Sequence, residues 1–242
     1  MDKEYLIDLI KVAKSDAPAD IVLRGAKVVS THTGEIFHAD VAVFGDTIAG
    51  VGKYDGKEIV ELGGGYLVPG LIDSHCHIES SMVSPIEYSA GVLPLGTTAV
   101  FADPHEIANV MGEDGVRLMI RLAEGLPVSI YYMAPSCVPA TDMETAGAEL
   151  DAQAITRLLD EKSVAGLAEM MNFPGVLFCV PAVMEKLLIA QGKVIDGHAP
   201  GLSGNALNAY ACAGIASEHE ATTPEEAAEK LRAGMYLSLI HI

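Results

Sequence analysis

After Pro69-Gly70 the chain alternates short apolar runs with stretches of helical character, and this alternation limits the fold more than any other feature of its 242 residues. The strand candidates are "GLIDSHCHI", "TTAVFADP", "VSIYYMAP", "VAGLAEMM", "KVIDGHAP" and "GIASEHE". Helical candidates lie between and after them, near 85–93, 112–124, 151–161, 181–191, 203–213 and 224–232. Strands separated by helices pair in parallel through crossovers, which gives either a (β/α) barrel or an open doubly wound sheet. The polar residues separate the two. His75 and His77, Asp103 and His105, Glu169, His198 and His219 fall at or just beyond the ends of these runs. A barrel gathers the C-terminal ends of its strands at one mouth, whereas an open sheet spreads them along a line. The expectation is an α/β fold with a TIM-type (β/α) barrel over 69–242. Six runs and a seventh candidate, "MYLSLI", fall short of the eight strands of a closed barrel, and Ile242 lies within an apolar segment. An incomplete barrel, part of a longer chain, is the simplest expectation.

Residues 1–68 read differently. Leu6, Ile7, Leu9, Ile10 and Val12 have the spacing of a short amphipathic helix over 2–14. From Asp20 onward come "DIVLRG", "AKVVS", "ADVAVFG", "TIAGVG" and "EIVEL", punctuated by Gly, Asp and Thr. That texture predicts a small antiparallel β-module, a partial β-sandwich with an architectural role, since no ligand-type cluster falls in it.

The formal net charge of −18 argues against nucleic-acid binding, which needs a basic surface. Cys76, Cys137, Cys179 and Cys212 are widely spaced and form no C-x-x-C pair, as expected for thiols in a reducing compartment. The opening "MDKEYLIDLIKVAKSD" mixes acids and bases with its apolar residues and does not read as a secretory signal. No apolar run approaches the roughly 18 residues that a membrane span requires. A cytoplasmic enzyme with no membrane or nucleic-acid partner is the expectation.

The chemistry concentrates in "PGLIDSHCHIESS". Side chains alternate faces along a strand, so His75 and His77 point one way and Cys76 the other. Two imidazoles facing one interior can share a cation. Glu169 is a carboxylate inside an apolar run, costly to bury unless paired or bound to a cation; a salt-bridged strand terminus is the bland alternative. His198 and His219 occupy equivalent places one repeat apart, and each alone would read as a core histidine bonded to the backbone. Together, four imidazoles and a carboxylate suit Zn²⁺, Mn²⁺ or Fe²⁺ rather than Ca²⁺. Five ligands exceed the needs of one open metal. A pair bridged by Glu169, with His75 and His77 on one ion and His198 and His219 on the other, would use them all.

The segments "VPGLIDSHCHIESSM", "GTTAVFADPHEIANVMG", "GLAEMMNFPGV", "VIDGHAPGLSGNALNAYACAGIASEHE" and "EEAAEKLRAGMY" resemble the adenine deaminases, a family within the amidohydrolase superfamily of metal-dependent hydrolases. The likeness runs from the β-module to about Tyr236. It implies hydrolytic deamination of adenine to hypoxanthine and ammonia at a Mn²⁺ or Fe²⁺ pair, with Zn²⁺ as the third choice. It also implies that His75, His77, Glu169, His198 and His219 bind the metals. A small purine is then the substrate, and a homo-oligomer is expected for the full-length form. A general acid must protonate the departing amine. Glu79, Glu106, Glu218, Glu220 and His105 are candidates, and His105 and Glu106 in "DPHEIAN" stand at the mouth. Asp-Pro also favours a plain turn into a capped helix.

The superfamily's Asp on its last barrel strand, which binds metal and shuttles the proton, has no counterpart before Ile242, and "SLIHI" does not resemble the family's continuation. His241 is not counted as a ligand. Two other readings stand beside the deaminase: an amidohydrolase acting on a cyclic amide or N-acyl substrate, and an inactive metal-binding fragment. The former commonly bridge their metals with a lysine, and "VAGLAEMM" contains none.

Overall fold

The computed structural model describes residues 2–141 and 143–238. The chain divides into two compact units, Met1–Pro69 and Gly70–Ile242.

In the first unit, helix α1 (Lys3–Ala13) starts at Asp2, whose side chain accepts from the Tyr5 amide at 2.9 Å. Of its apolar positions only Val12 is buried; it packs with Ala19, Val22 and Ala42. Strands β1 (Ala19–Val29), β2 (Ile36–Phe44), β3 (Thr47–Gly52), β4 (Gly56–Glu61) and β5 (Tyr66–Leu67) form one sheet in the order β3-β2-β1-β4, with β5 also beside β1. The two runs "DIVLRG" and "AKVVS" are one strand, whose register with β2 shifts between Leu23 and Ala26. Gly25 sits in that break at φ +71°, where a side chain would be strained, and its N–H donates to Asp40 at 3.0 Å.

The expected all-antiparallel module is corrected here. β2 is antiparallel to both β1 and β3, but β4 and β5 run parallel to β1. The chain does not fold β4 back beside β3; it crosses to the far side of β1. Tyr54 lies in this crossing, with its hydroxyl on the Ala13 carbonyl at 3.1 Å. Its ring covers Gly50, where an added Cβ would come within 2.1 Å of the Tyr54 hydroxyl.

The second unit follows the expected alternation. Strands β6 (Leu71–Cys76), β7 (Thr97–Ala102), β8 (Ser129–Ala134), β9 (Val164–Met170) and β10 (Val194–Gly197) are parallel and lie in chain order, forming a curled half-barrel sheet. Beyond it, β11 (Ser217–Glu218) pairs in parallel with β12 (Tyr236–Leu237), and the Ala216 amide donates to Ile195 of β10 at 3.0 Å. This is the incomplete (β/α) barrel. Of the candidate "MYLSLI", only 236–237 form a strand, and its last two residues, like His241, lie outside the described residues.

Helices fill the intervals: α2 (Pro85–Val92), α3 (His105–Met111), α4 (Glu113–Leu122), α5 (Ala152–Leu159), α6 (Phe173–Leu177), α7 (Pro181–Ile189), α8 (Gly204–Cys212) and α9 (Pro224–Arg232). Their starts carry the expected signals. Ser84, Asp151 and Thr223 cap α2, α5 and α9, and Pro85 and Pro224 occupy first helical positions. The short helix α6, opened by the Asn172 side chain on the Gly175 amide at 2.9 Å, has too few residues to show a period in sequence.

One face of the sheet and the helices share a single apolar core. Val100 and Ala102 of β7 and Ile130, Tyr132 and Ala134 of β8 meet Val116 and Met119 of α4, Ile155 and Leu158 of α5, and Leu187 of α7. Each of the valine, isoleucine, leucine and methionine side chains contributes roughly 1.5–3 kcal/mol through burial. The other face carries the chemistry. Near it two glycines permit close backbone approach: a Cβ on Gly166 would lie 2.2 Å from the Val194 carbonyl, and one on Gly197 would lie 2.4 Å from that of Ser217.

Leu158 is fully buried at the helix–sheet contact. Leu158→Ala should destabilise the protein by about 3 kcal/mol, read as a lower urea midpoint at unchanged slope; a shift under about 1 kcal/mol would mean that this core is loosely packed.

Candidate metal centre

β6 delivers His75, and His77 follows one residue beyond the strand end. Their rings meet edge-on with centroids 4.8 Å apart and their Nε2 atoms 3.1 Å apart. Each Nδ1 has its own acceptor. His75 Nδ1 is 2.7 Å from an Asp196 oxygen, and His77 Nδ1 is 3.0 Å from the Asp103 carbonyl. A proton held on Nδ1 leaves the Nε2 lone pair directed inward, the tautomer that a metal-ligating imidazole needs. Cys76 points the other way, against the apolar core, and burial pushes its thiol up to about 12.

Glu169, near the end of β9, is the hub. Its side chain is almost wholly buried, yet no lysine or arginine pairs with it among the described residues. One oxygen lies 3.4 Å from His77 Nε2 and 3.3 Å from His105 Nδ1; the other lies 2.6 Å from His198 Nδ1 and 3.1 Å from His219 Nε2. The His219 ring stacks on His75 at 3.7 Å. Three of the four expected histidine ligands, His77, His198 and His219, therefore approach Glu169 directly, and His75 joins the cluster through His77 and His219; the five residues come from four segments of chain.

Three groups in this cluster offer ligand atoms within 4.8 Å of one another: His77, Asp103, His105 and Glu169; His75, Asp196 and His219; and Glu169, His198 and His219. Buried donor and acceptor atoms here lack hydrogen-bond partners, among them Asp103 Oδ1, His198 Nδ1 and His219 Nδ1. The 2.6 Å approach of His198 to Glu169 is an ion-pair distance without hydrogen-bond alignment. Such groups, packed together yet unsatisfied by one another, fit a divalent cation of the imidazole-and-carboxylate kind.

The electrostatics agree. Burial alone would lower His105, but the Asp103 and Glu169 carboxylates overcome it and push the imidazole up to about 11. His75 is also raised, against the effect of burial, by Asp196. Burial would raise the Glu169 carboxyl, yet His105, His198 and His219 hold it well below the usual carboxylate range. The carboxylates thus demand positive charge where the imidazoles converge, and a bound cation meets the same demand.

The remaining candidates divide. His105, expected on the substrate side, also touches the hub through Glu169 and is oriented by Asp103 at 2.9 Å. Glu106 stands at the partly exposed rim, 3.7 Å from His77 Nδ1, and accepts from the Ser80 hydroxyl. Glu79 accepts from the Ile107 amide, and burial together with the Glu106 and Asp103 charges pushes its carboxyl up to about 7. Glu218 is the correction. Strand β11 turns its side chain away from the imidazoles to a buried ion pair with Lys230 at 2.9 Å, so it has no place at the mouth. Its neighbour Glu220 instead comes within 4.0 Å of His198 and 3.9 Å of His219.

Asp196 carries no motif of its own in the sequence. A period-two reading marks it, because Asp196 stands two residues before His198 as Asp103 stands two before His105.

A family model described as the amidohydrolase family matches residues 66–241. The chain is 55% identical over 233 residues to an adenine deaminase from Desulfatibacillum aliphaticivorans, covering 96% of this chain and 41% of that protein. An adenine deaminase from Archaeoglobus fulgidus is 50% identical over 238 residues, 98% of this chain and 42% of its own. The chain spans about two fifths of the length of these curated relatives. Among solved structures, N-acyl-D-glutamate deacylase from Bordetella bronchiseptica, complexed with zinc and a phosphonate inhibitor, aligns with a TM-score of 0.60 at 14% identity, over 92% of this chain and 58% of that one. D-aminoacylase aligns with a TM-score of 0.58 at 17% identity, over the same shares. These two likenesses speak to the fold.

Asp196→Asn should weaken divalent-ion binding by about ten- to a hundredfold, because an amide can donate to His75 Nδ1 and reverse its tautomer. Titration with Mn²⁺ reads this; unchanged affinity would show that His75 is oriented by something else. Cys76→Ser should leave ion binding intact, and loss of binding there would contradict the strand register.

Proposed function

This chain belongs to the amidohydrolase family, and we propose from that premise that it serves the hydrolytic deamination of adenine to hypoxanthine and ammonia at a pair of divalent ions. The observation that carries the two-ion reading is Glu169, whose two carboxylate oxygens face different sets of imidazoles. The choice of adenine is supported by identity of 50% or more to adenine deaminases along nearly the whole of this chain. Mn²⁺ or Fe²⁺ is the preferred pair, with Zn²⁺ as the third choice, since the donors are imidazole and carboxylate.

His75 and His77 would hold one ion and His198 and His219 the other, with Glu169 common to both. Bound divalent ions would supply hydroxide near neutral pH by acidifying a water. The chain's own residues do the rest. Asp196 and the Asp103 carbonyl keep protons on the outer nitrogens of His75 and His77, so the inner nitrogens stay available as ligands. The purine carbon C6 gains oxygen and releases its exocyclic nitrogen, which must leave protonated. His105, oriented by Asp103, and Glu106, at the rim, are the groups that would handle that proton. Glu220 stands beside His198 and His219.

A lysine-bridged amidohydrolase acting on a cyclic amide or N-acyl substrate is not favoured, because the bridging place is taken by Glu169. The reading takes a small purine as the ligand besides the ions, in cytoplasmic purine salvage or catabolism, with a homo-oligomer as the full-length form. It gives no part to membrane or nucleic acid, and the charge of −18 supports the latter exclusion.

Purified protein supplied with Mn²⁺ and adenine tests this, through ammonia release and the ultraviolet change to hypoxanthine; turnover is expected with the C-terminal part of the longer relatives added, and its failure there would overturn the reading. Chelation should stop both, and Mn²⁺ should restore them. Glu169→Gln should abolish turnover and lower bound metal, because an amide cannot supply the bridging charge; full metal content in that variant would count against the bridge. Ion binding with no turnover of adenine in the unaltered protein would favour the non-catalytic metal-binding reading.

A further inference from the structure

Lys230 on α9 is wholly buried, which is costly for an ammonium unless several partners compensate. Here it has three. Its Nζ donates to the Ala199 carbonyl at 3.0 Å and to Glu226 at 2.7 Å, and pairs with Glu218 at 2.9 Å. Glu218 in turn accepts from the Ala199 amide at 3.3 Å, so both backbone groups of Ala199 are held by one buried ion pair. Glu226 extends the grip by accepting from the Gly201 amide at 2.7 Å and the Thr222 amide at 3.1 Å. The held residues flank the chemistry. Ala199 follows His198 and Glu218 precedes His219, the two imidazoles that share one oxygen of Glu169.

A buried ion pair is a poor device for stability alone, since apolar residues of similar volume do as well or better. What an apolar pair could not do is bind a backbone N–H, a backbone carbonyl and a strand residue in one fixed geometry. We propose that Lys230, through Glu218 and Ala199, is a positioning residue that sets the separation of His198 and His219 and so determines ion affinity on that side of Glu169. This rests on the two-ion reading above.

The test is Co²⁺ titration of the purified protein, followed by visible absorption, with and without Lys230→Met. The expected result is one equivalent bound as in the unaltered protein and a second weakened at least about tenfold, as for other outer groups that orient ligands, with an altered absorption band. If Lys230→Met does not fold by circular dichroism, Glu218→Gln with Lys230→Met removes the opposed charges together and is titrated in its place. A folded variant that binds both equivalents as the unaltered protein does, or loses both equally, would overturn the proposal. Failure of the unaltered protein to bind any Co²⁺ would instead refute the two-ion reading itself, and this proposal with it.

Discussion

A carboxylate buried with no lysine or arginine beside it among the described residues is the constraint on which the second unit turns. Glu169 sits near the end of a central strand, and four imidazoles close on it to within 2.6–3.4 Å. Asp103 and Asp196 add two more acids within the same small volume. Left to themselves, these acids would be driven toward their neutral forms by desolvation. Imidazoles offset that tendency at Glu169 and Asp196, whose carboxyls are held low, while burial still raises that of Asp103; the site is therefore an electrostatic knot as much as a collection of ligands.

The scaffold explains how such distant residues meet. Five parallel strands in chain order bring successive strand ends to one edge of the sheet, and each helix returns the chain to the opposite edge. Apolar side chains on the helix-facing side fix the strands, leaving the other side for polar groups. Secondary contacts then tie the loops together. Tyr210 is one: its hydroxyl donates to the Met170 carbonyl at 2.7 Å and accepts from the His198 amide at 3.0 Å, joining the end of β9 to the loop after β10. Ser136 is another, donating to the carbonyl of Glu169 at 2.5 Å.

Much of this was legible in the chain because it depends on local periodicity. The alternation of runs gave the half-barrel, and histidines at strand ends marked the convergence. Asp196 is harder to read, because a single acid in "KVIDGHAP" looks like a strand-end residue until its spacing from His198 is counted. Glu218 misled for a related reason. Neighbouring acids on either side of His219 look equivalent in sequence, but the strand ends between them, so Glu218 follows the alternation into the core and Glu220 does not. The parallel pairing of β4 and β5 was hidden for another reason. Strand direction in a small sheet depends on which edge a connection crosses to, and the three residues between β3 and β4 carry no periodic signal of that choice.

Gly166 and Gly197 bear on how this architecture can vary. At both, the space for a first side-chain carbon is already filled by a neighbouring backbone carbonyl, so the seam joining β9, β10 and β11 tolerates hydrogen alone. Any L side chain at either site would force a neighbouring strand backbone to move. Phe101 and Tyr131, whose rings stack with centroids 5.1 Å apart and remain accessible, stand outside that seam.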